Sequence, residues 1–308
     1  MSAEKFHLRL PATSANLGSA FDTAAIALNL YLDLTAERAE RFSIDATGRN
    51  AEACSQTENN LLLETYQRIL QENGRAVQPL HLTMHNEIPF GMGCGSSAVA
   101  RLAGIALAVH FGGLGWDRKK ILDVACALEG HPDNAAACWL GGMTVAAMQS
   151  EGGQSTEAQV QVAQFPMPTG WSVLVVLPSQ PLATSVSRQA LPQMYSRSDA
   201  RSNLQHVALL VSAFAQERGE LLRVAMQDRL HQPYRAAMCP LLPLLEPLAG
   251  EPGVLGVALS GAGPAVLMVV EREADRNWLL ARIHRQTESV DSVEILECEF
   301  EKACGIMA

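Results

Sequence analysis

One run, Pro89-Phe-Gly-Met-Gly-Cys-Gly-Ser-Ser97, constrains this chain more than any other segment. Glycines 91, 93 and 95 lead straight into 98–111 (AVARLAGIALAVHF), whose length and apolar character predict a buried helix. The preceding stretch, 80–85 (LHLTMH), alternates and predicts a strand. A strand, a glycine loop and a helix in succession set unpaired helix amides beside a backbone without Cβ obstruction. The positive end of the helix dipole adds to them. Such a loop is an anion cradle that needs no lysine. Ser96 and Ser97 are candidates to cap the helix, to bind phosphate or to reach a metal ion.

The familiar glycine motifs do not fit. A Walker A loop requires Gly-Lys-Ser/Thr at its end, and no lysine stands here. The dinucleotide pattern GxGxxG does not match glycines at 91, 93 and 95, which removes a redox enzyme of that type. The nucleophile elbow GxSxG is absent. Composition supports a phosphate site without lysine, because the chain has only Lys5, Lys119, Lys120 and Lys302. A net charge of −9 disfavours nucleic acid and anionic membrane as partners. No apolar run approaches the roughly 18–20 residues that span a bilayer, and the first residues carry no apolar leader segment. Seven cysteines, with no CxxC pair, read as free buried thiols of a cytoplasmic protein. No histidine spacing suggests zinc.

Along the chain, strands are predicted at 5–10, 24–34, 143–148, 171–177, 254–259, 264–270 and 290–300. A polar turn is expected over 12–22 (ATSANLGSAFD). Helices are predicted at 60–73, 117–128, 133–140, 199–217, 219–230 and 274–286. On the 199–217 helix, Leu204, Val207, Ala208, Val211 and Phe214 form the expected apolar face. The polar stretch 149–164 is the best linker or hairpin and places a domain boundary there, giving 1–160 and 161–308. Strands alternate with helices in both halves, so the class is mixed α and β.

Five segments, in collinear order from residue 8 to 270, resemble the GHMP kinase superfamily. The glycine loop resembles its second motif, with Cys94 where leucine is usual. Pro11-Ala-Thr-Ser-Ala-Asn16-Leu-Gly18-Ser-Ala-Phe21-Asp22 is similar to the first, although Ser19-Ala20 replaces the Pro-Gly usual in homoserine kinases. Leu259-Ser260-Gly261-Ala262-Gly263-Pro264 resembles the third. Glu129-Gly-His131-Pro-Asp133-Asn134 and Leu230-His231-Gln-Pro-Tyr234-Arg235 point to the homoserine kinase branch, and Thr184 to Arg188 is a weaker match. The resemblance implies an α+β, two-domain GHMP kinase fold. Its N-terminal domain would be ribosomal-protein-S5-like and its C-terminal domain ferredoxin-like, with the active site between them. It also implies ATP and Mg²⁺, and a homodimer is common in that family.

The implied activity is phosphorylation of the L-homoserine hydroxyl, a step of threonine biosynthesis. Another small alcohol as acceptor, such as mevalonate or a sugar, is the alternative, as is a nucleotide-binding regulator without turnover. ATP would lie on Pro89, Phe90, Gly91, Met92, Gly93, Cys94, Gly95, Ser96 and Ser97, with Asn60, Gly261 and Gly263. Ser97 with Asp123 or Glu129 would hold the metal. Asp22 and Asn16 would meet the acceptor's ammonium, and His131 is a further donor. Arg188 and Arg235 would clamp its carboxylate, since a guanidinium offers paired donors. Asn134 and Thr184 would act near the transferred phosphoryl. Asn134 stands where mevalonate kinase relatives carry an aspartate base, and an amide cannot take a proton at neutral pH. The implied transfer therefore runs without a dedicated base, which a loose transition state tolerates.

Overall fold

The computed structural model describes residues 5–149 and 159–301. It opens with β1 (Lys5–Asn16) and β2 (Ala20–Arg38), a long antiparallel pair. Residues 5–10 of β1 alternate exposed and buried, as the sequence predicts. The strand then continues through Ala12–Asn16, fully buried, where a polar turn was expected. Pairing with Ala20 and Ala25–Leu28 of β2 holds those small residues extended, so only Leu17–Ser19 turn. Next come β3 (Ser43–Gly48), α1 (Ala51–Cys54), α2 (Leu61–Glu72) and β4 (Leu80–Asn86). The glycine loop leads into α3 (Ser96–Gly112), followed by α4 (Arg118–Glu129), α5 (Asp133–Leu140), β5 (Met143–Gln149) and β6 (Gln159–Phe165). These strands make one sheet in the order β3-β4-β2-β5-β6, with β1 paired to β2.

The second half contains β7 (Trp171–Pro178), α6 (Thr184–Gln189), α7 (Arg197–Ala215), α8 (Leu222–Ala225), α9 (Gln232–Arg235) and α10 (Leu241–Leu245). It closes with β8 (Val254–Leu259), β9 (Val266–Glu271), α11 (Arg276–Gln286) and β10 (Val293–Cys298). The antiparallel order β10-β7-β9-β8, with helices after the first and third strands, is the ferredoxin-like arrangement. Of the polar stretch 149–164, residues 150–158 lie outside the described residues; the part from Gln159 belongs to β6, which pairs with β5 along its whole length. The first sheet therefore extends to Phe165, and the chain crosses to the second sheet at 166–170.

Burial explains the sequence patterns. Every residue of β7 is buried. Val173, Val175 and Leu177 face a core shared with α7 and the first domain, while Leu174 and Val176 face α10 and α11. A strand covered on both sides reads as an unbroken apolar run. In α7 the buried line is Asn203, Leu210, Ala213 and Phe214, whereas Leu204 is 69% exposed. A polar residue thus leads the inner face, because the Asn203 amide donates to the Ser19 carbonyl and accepts from the Arg229 amide. The helix expected over 219–230 shrinks to a single 3-10 turn and α8. Beyond it the Asp228 carboxylate collects the amides of Leu230, His231 and Gln232 and turns the chain.

The position of the glycine loop depends on how closely α2 and α3 approach. A Cβ built on Gly104 in α3 would lie 2.5 Å from the Leu62 carbonyl oxygen and 2.8 Å from the Thr65 Cβ. Gly104→Ala gains about 1 kcal/mol of helix propensity but forces two backbones apart, at a cost of about 1–3 kcal/mol. The net expectation is a lower urea midpoint with an unchanged slope; an unchanged or raised midpoint would show that the helices can separate freely.

Candidate active site

Three segments meet between the two sheets: the end of β1, the glycine loop, and the turn 260–263 between β8 and β9. The Thr13 amide donates to the Cys94 carbonyl at 3.1 Å, and the Gly261 amide to the Ala15 carbonyl at 3.0 Å. The Ser260 hydroxyl reaches the Gly93 carbonyl at 2.8 Å and the Ser14 hydroxyl at 2.9 Å. The Asn16 side chain donates to the Gly261 carbonyl at 2.8 Å. Such closeness excludes side chains from the loop. At positive φ, a Cβ on Gly93 would fall 2.0 Å from the Ser260 oxygen, and one on Gly95 2.0 Å from the Thr13 hydroxyl.

Gly95, in the left-handed region, is the N-cap of α3, and no side chain caps the helix. Ser96 and Ser97 are therefore not caps. The first amides of a 17-residue helix face the cleft together with the serine hydroxyls. A cavity of about 390 Å³ adjoins them, lined by Asn60, Leu62, Met84, Ile88, Phe90 and Val99, with Ser96 and Ser97 at its mouth. Its size and apolar walls suit a flat heterocycle. Asn60 sits there with its side-chain oxygen spent on capping α2.

A smaller polar cleft, about 80 Å³, shares Ser96 and Ser97 and also receives Gly91, Gly93, Gly95 and Gly261. Pro89, Met92, Cys94 and Gly263 line neither space. Pro89 and Met92 face a hollow beside Arg49 and Glu294. Cys94 is buried, and burial pushes its thiol up to about 12, so it packs rather than reacts. Gly263 backs onto Cys239. The loop is a series of turns with Gly91, Gly93 and Gly95 at positive φ, and the side chains between them, Met92 and Cys94, turn away from the cleft.

The other side of the same cleft gathers Asn16, Asp22, His131, Asn134, Thr184, Arg188 and Arg235, residues spread over 220 positions of sequence. Asn16 and Asp22 both have positive φ, at 70° and 50°. Non-glycine residues hold that conformation only where the surroundings over-determine it. Here the Asn16 side-chain oxygen accepts the Asp22 amide at 2.9 Å. Arg188, on α6, forks onto both Asp22 oxygens at 3.0 and 2.7 Å. That pairing raises the pKa of the guanidinium against the opposing effect of its burial. Arg235 is 1% exposed. Burial and the nearby Arg188 charge lower its pKa, so it is a cation short of a counter-anion. His131 donates from Nδ1 to Asp133 at 2.6 Å. Burial works against its charge, but the Asp133 hydrogen bond and the acids around it leave its pKa raised. Asp22, His131 and Asp133 lie within 4.8 Å of one another, yet Arg188 already occupies Asp22.

For the metal, the structure separates the two acids. Glu129, its side chain 5% exposed, accepts the Ser97 hydroxyl at 3.1 Å and is flanked by Arg101 at 2.5 Å. The oxygen that faces Arg101 is Oε1, and the one that accepts from Ser97 is Oε2. Asp123 lies outside the cleft, because it is six residues, nearly two helical turns, before Glu129. Its carboxylate pairs with Lys119 at 2.6 Å and accepts the Val160 amide at 2.8 Å, tying α4 to β6.

Several contributors escaped the sequence reading. Thr13 donates to the Asn134 side-chain oxygen at 2.7 Å and fixes that amide. Asp133 holds both His131 and the Asn134 amide. Phe21 lies flat against His231, with the guanidinium carbons of Arg188 and Arg235 at 5.8 and 5.5 Å from its ring centre. Thr13, Phe21 and Asp133 sit inside quoted motifs, but nothing in their chemistry as single residues gives them a role. Among the described residues, no helix is long and apolar enough to cross a membrane, and the six described cysteines are free and buried.

The chain is similar to known proteins over nearly its full length. The family model for the N-terminal domain of GHMP kinases matches residues 60–142, and that for the C-terminal domain matches 210–287. Homoserine kinase of Solibacter usitatus is 41% identical over 87% of this chain and 86% of that protein. Its counterpart from a Synechocystis strain is 37% identical over 86% of each. The crystal structure of homoserine kinase from Cytophaga hutchinsonii superposes with a TM-score of 0.79 at 21% identity, covering 98% of this chain and 97% of that one. At that identity the superposition speaks to the fold. With the lysine-free phosphate cradle and the paired charges beside it, these matches establish that the chain belongs to the homoserine kinase family of the GHMP kinases.

Proposed function

We propose that this protein transfers the γ-phosphoryl group of ATP to the hydroxyl of L-homoserine, giving O-phospho-L-homoserine, in the cytosol. The observation that carries this reading is the Asp22–Arg188 pair beside Arg235, which makes no ion pair among the described residues, in a cleft that Ser96 and Ser97 of α3 also line. A zwitterion exchanges with that pair: its ammonium replaces Arg188 at Asp22 and Asn16, and its carboxylate takes Arg188 and Arg235. Mevalonate lacks the ammonium and a sugar lacks both charges, so neither compensates the groups it would separate.

The apolar cavity is of a size for adenine, and in this reading the phosphates lie on Gly91–Ser97 and the first amides of α3. Ser97 and Glu129 fit a Mg²⁺ ion, because the hydroxyl and the carboxylate oxygen that accepts from it, Oε2, lie together at the start of α3. Such an ion would neutralise the transferring phosphoryl. Asn134 is oriented by Thr13 and by the Asp133 network, and supports the reacting groups without accepting a proton. Asp133 is a poor base, since one of its oxygens already serves His131 and the Asn134 amide. Positioning and charge stabilisation supply most of a phosphoryl transfer, and the hydroxyl proton leaves to phosphate or solvent.

An ADP-release assay over homoserine, threonine, mevalonate and galactose tests the acceptor. Turnover selective for homoserine is expected; selective turnover of mevalonate, or ATP binding with no turnover of any acceptor, would sink the proposal. Arg188→Met removes a charged fork worth about 1.5–3 kcal/mol, so KM for homoserine should rise roughly 10–150-fold while KM for ATP stays near wild type. Glu129→Gln should raise the Mg²⁺ concentration needed for half-maximal rate, whereas Asp123→Asn should leave it unchanged; the reverse pattern would return the metal to Asp123. Asn134→Ala should lower kcat. Asn134→Asp should bring no large, pH-dependent gain, and such a gain would mean that base catalysis was limiting.

A further inference from the structure

His231 is 0% exposed and lines neither cavity, yet it bonds to a residue from each half of the chain. Its Nε2 lies 2.7 Å from the Gly18 carbonyl in the β1–β2 turn, and its Nδ1 lies 3.0 Å from the Arg235 Nη1. The partners fix the tautomer. A carbonyl can only accept, so Nε2 carries the proton; a guanidinium can only donate, so Nδ1 is bare. The ring is therefore neutral, in keeping with the downward pKa shift that burial imposes. Asp228 is 3.6 Å from Nε2, and its nearer oxygen already accepts the His231 and Gln232 amides.

Arg235 has little else to hold it. Its Nε makes a long, 3.4 Å bond to the Ser187 carbonyl, and none of the ion pairs among the described residues includes it. A buried guanidinium fixed by a carboxylate would have its charge cancelled before any ligand arrived. One fixed by a neutral imidazole nitrogen keeps its charge and its remaining N–H donors for an incoming anion. The Phe21 ring, 5.3 Å from His231 and stacked on it, keeps that imidazole in plane.

We propose that His231 is a positioning residue for recognition of the acceptor's carboxylate. As a neutral acceptor it holds the Arg235 guanidinium that lines the cleft, and through Gly18 it registers this arginine to the turn that joins the strand ends carrying Asn16 and Asp22. The inference rests on the amino-acid kinase reading above. It extends that reading to a side chain which never meets the substrate.

Two variants separate the ring's two bonds. His231→Gln can keep the donor to Gly18 but has no acceptor at the Nδ1 position; His231→Asn places an oxygen near Nδ1. The readout is the ratio of kcat/KM for homoserine to that for 3-aminopropan-1-ol, which lacks only the carboxylate. His231→Gln should lower this ratio about tenfold, mainly through KM for homoserine, with KM for ATP held. His231→Asn should restore part of it. Equal losses on both acceptors, or no change in the ratio, would overturn the proposal in favour of plain packing.

A measurement on the unmutated protein does not depend on the variants folding. Long-range ¹H–¹⁵N spectra at pH 7 should show His231 with a bare Nδ1 and a protonated Nε2; a cationic ring or the opposite tautomer would overturn the proposal. If wild-type protein fails to turn over homoserine, the functional reading falls and takes the carboxylate role with it, while the tautomer still decides whether His231 holds Arg235.

Discussion

Everything in this cleft depends on one tight junction of backbones. The end of β1, the glycine loop and the 260–263 turn approach so closely that carbonyl and amide groups of the two domains bond directly, with Ser260 as the polar pin between Gly93 and Ser14. No side chain fits there, which is why glycine stands at 93 and 95. Its consequence is electrostatic. With the loop pressed against the second domain and no hydroxyl capping α3, the helix keeps its first amides for a ligand. The cradle is made by exclusion: donors stay open to an anion because the chain is folded so that nothing else uses them.

Beside this phosphate side lies a set of charges left deliberately uneven. Asp22 and Arg188 satisfy each other, His131 leans on Asp133, and Glu129 is shared by Ser97 and Arg101. Arg235, by contrast, is hydrogen-bonded among the described residues only to the Ser187 carbonyl and the His231 ring. A cleft holding a matched ion pair and an extra cation suits a ligand with both charges and favours its anionic end. On the proposed reading, the charges of the substrate complete that balance, and its binding energy goes into orientation near the phosphoryl. The strained Asn16 and Asp22 backbones belong to the same arrangement, since the Asn16 side chain accepts the Asp22 amide and the Asp22 carboxylate holds Arg188.

Much of this was legible in the residues. The strand–glycine–helix order around 89–97, the apolar runs of β7 and β9, and the short α5 after the Glu129–Pro132 break all follow from periodicity and turn chemistry. Failures cluster where tertiary contacts override local preference. Small polar residues 12–16 look like a turn but are held extended by β2. Asn203 leads the buried face of α7 because Ser19 and Arg229 satisfy its amide. The predicted helix over 219–230 yields to Asp228, whose carboxylate gathers three amides. In each case one distant or unusually placed partner outweighs several residues of propensity.

What the sequence determined by itself was the chemistry available: a lysine-poor phosphate loop, two arginines and an aspartate in family-like motifs, and an asparagine where a base would stand. These are properties of residue type and spacing, which a linear chain displays. Only the tertiary structure decided which of them meet. It brought Glu129 rather than Asp123 to Ser97, although both acids lie on α4, because a helix rotates residues six apart onto different faces and β6 claims the second. It also showed that Arg235 is held by His231, a neutral partner whose protonation is set by a carbonyl 213 residues away in the chain. Hydrogen bonds between distant segments carry no local signature, and it is those bonds that turn a phosphate cradle into a site able to choose its acceptor.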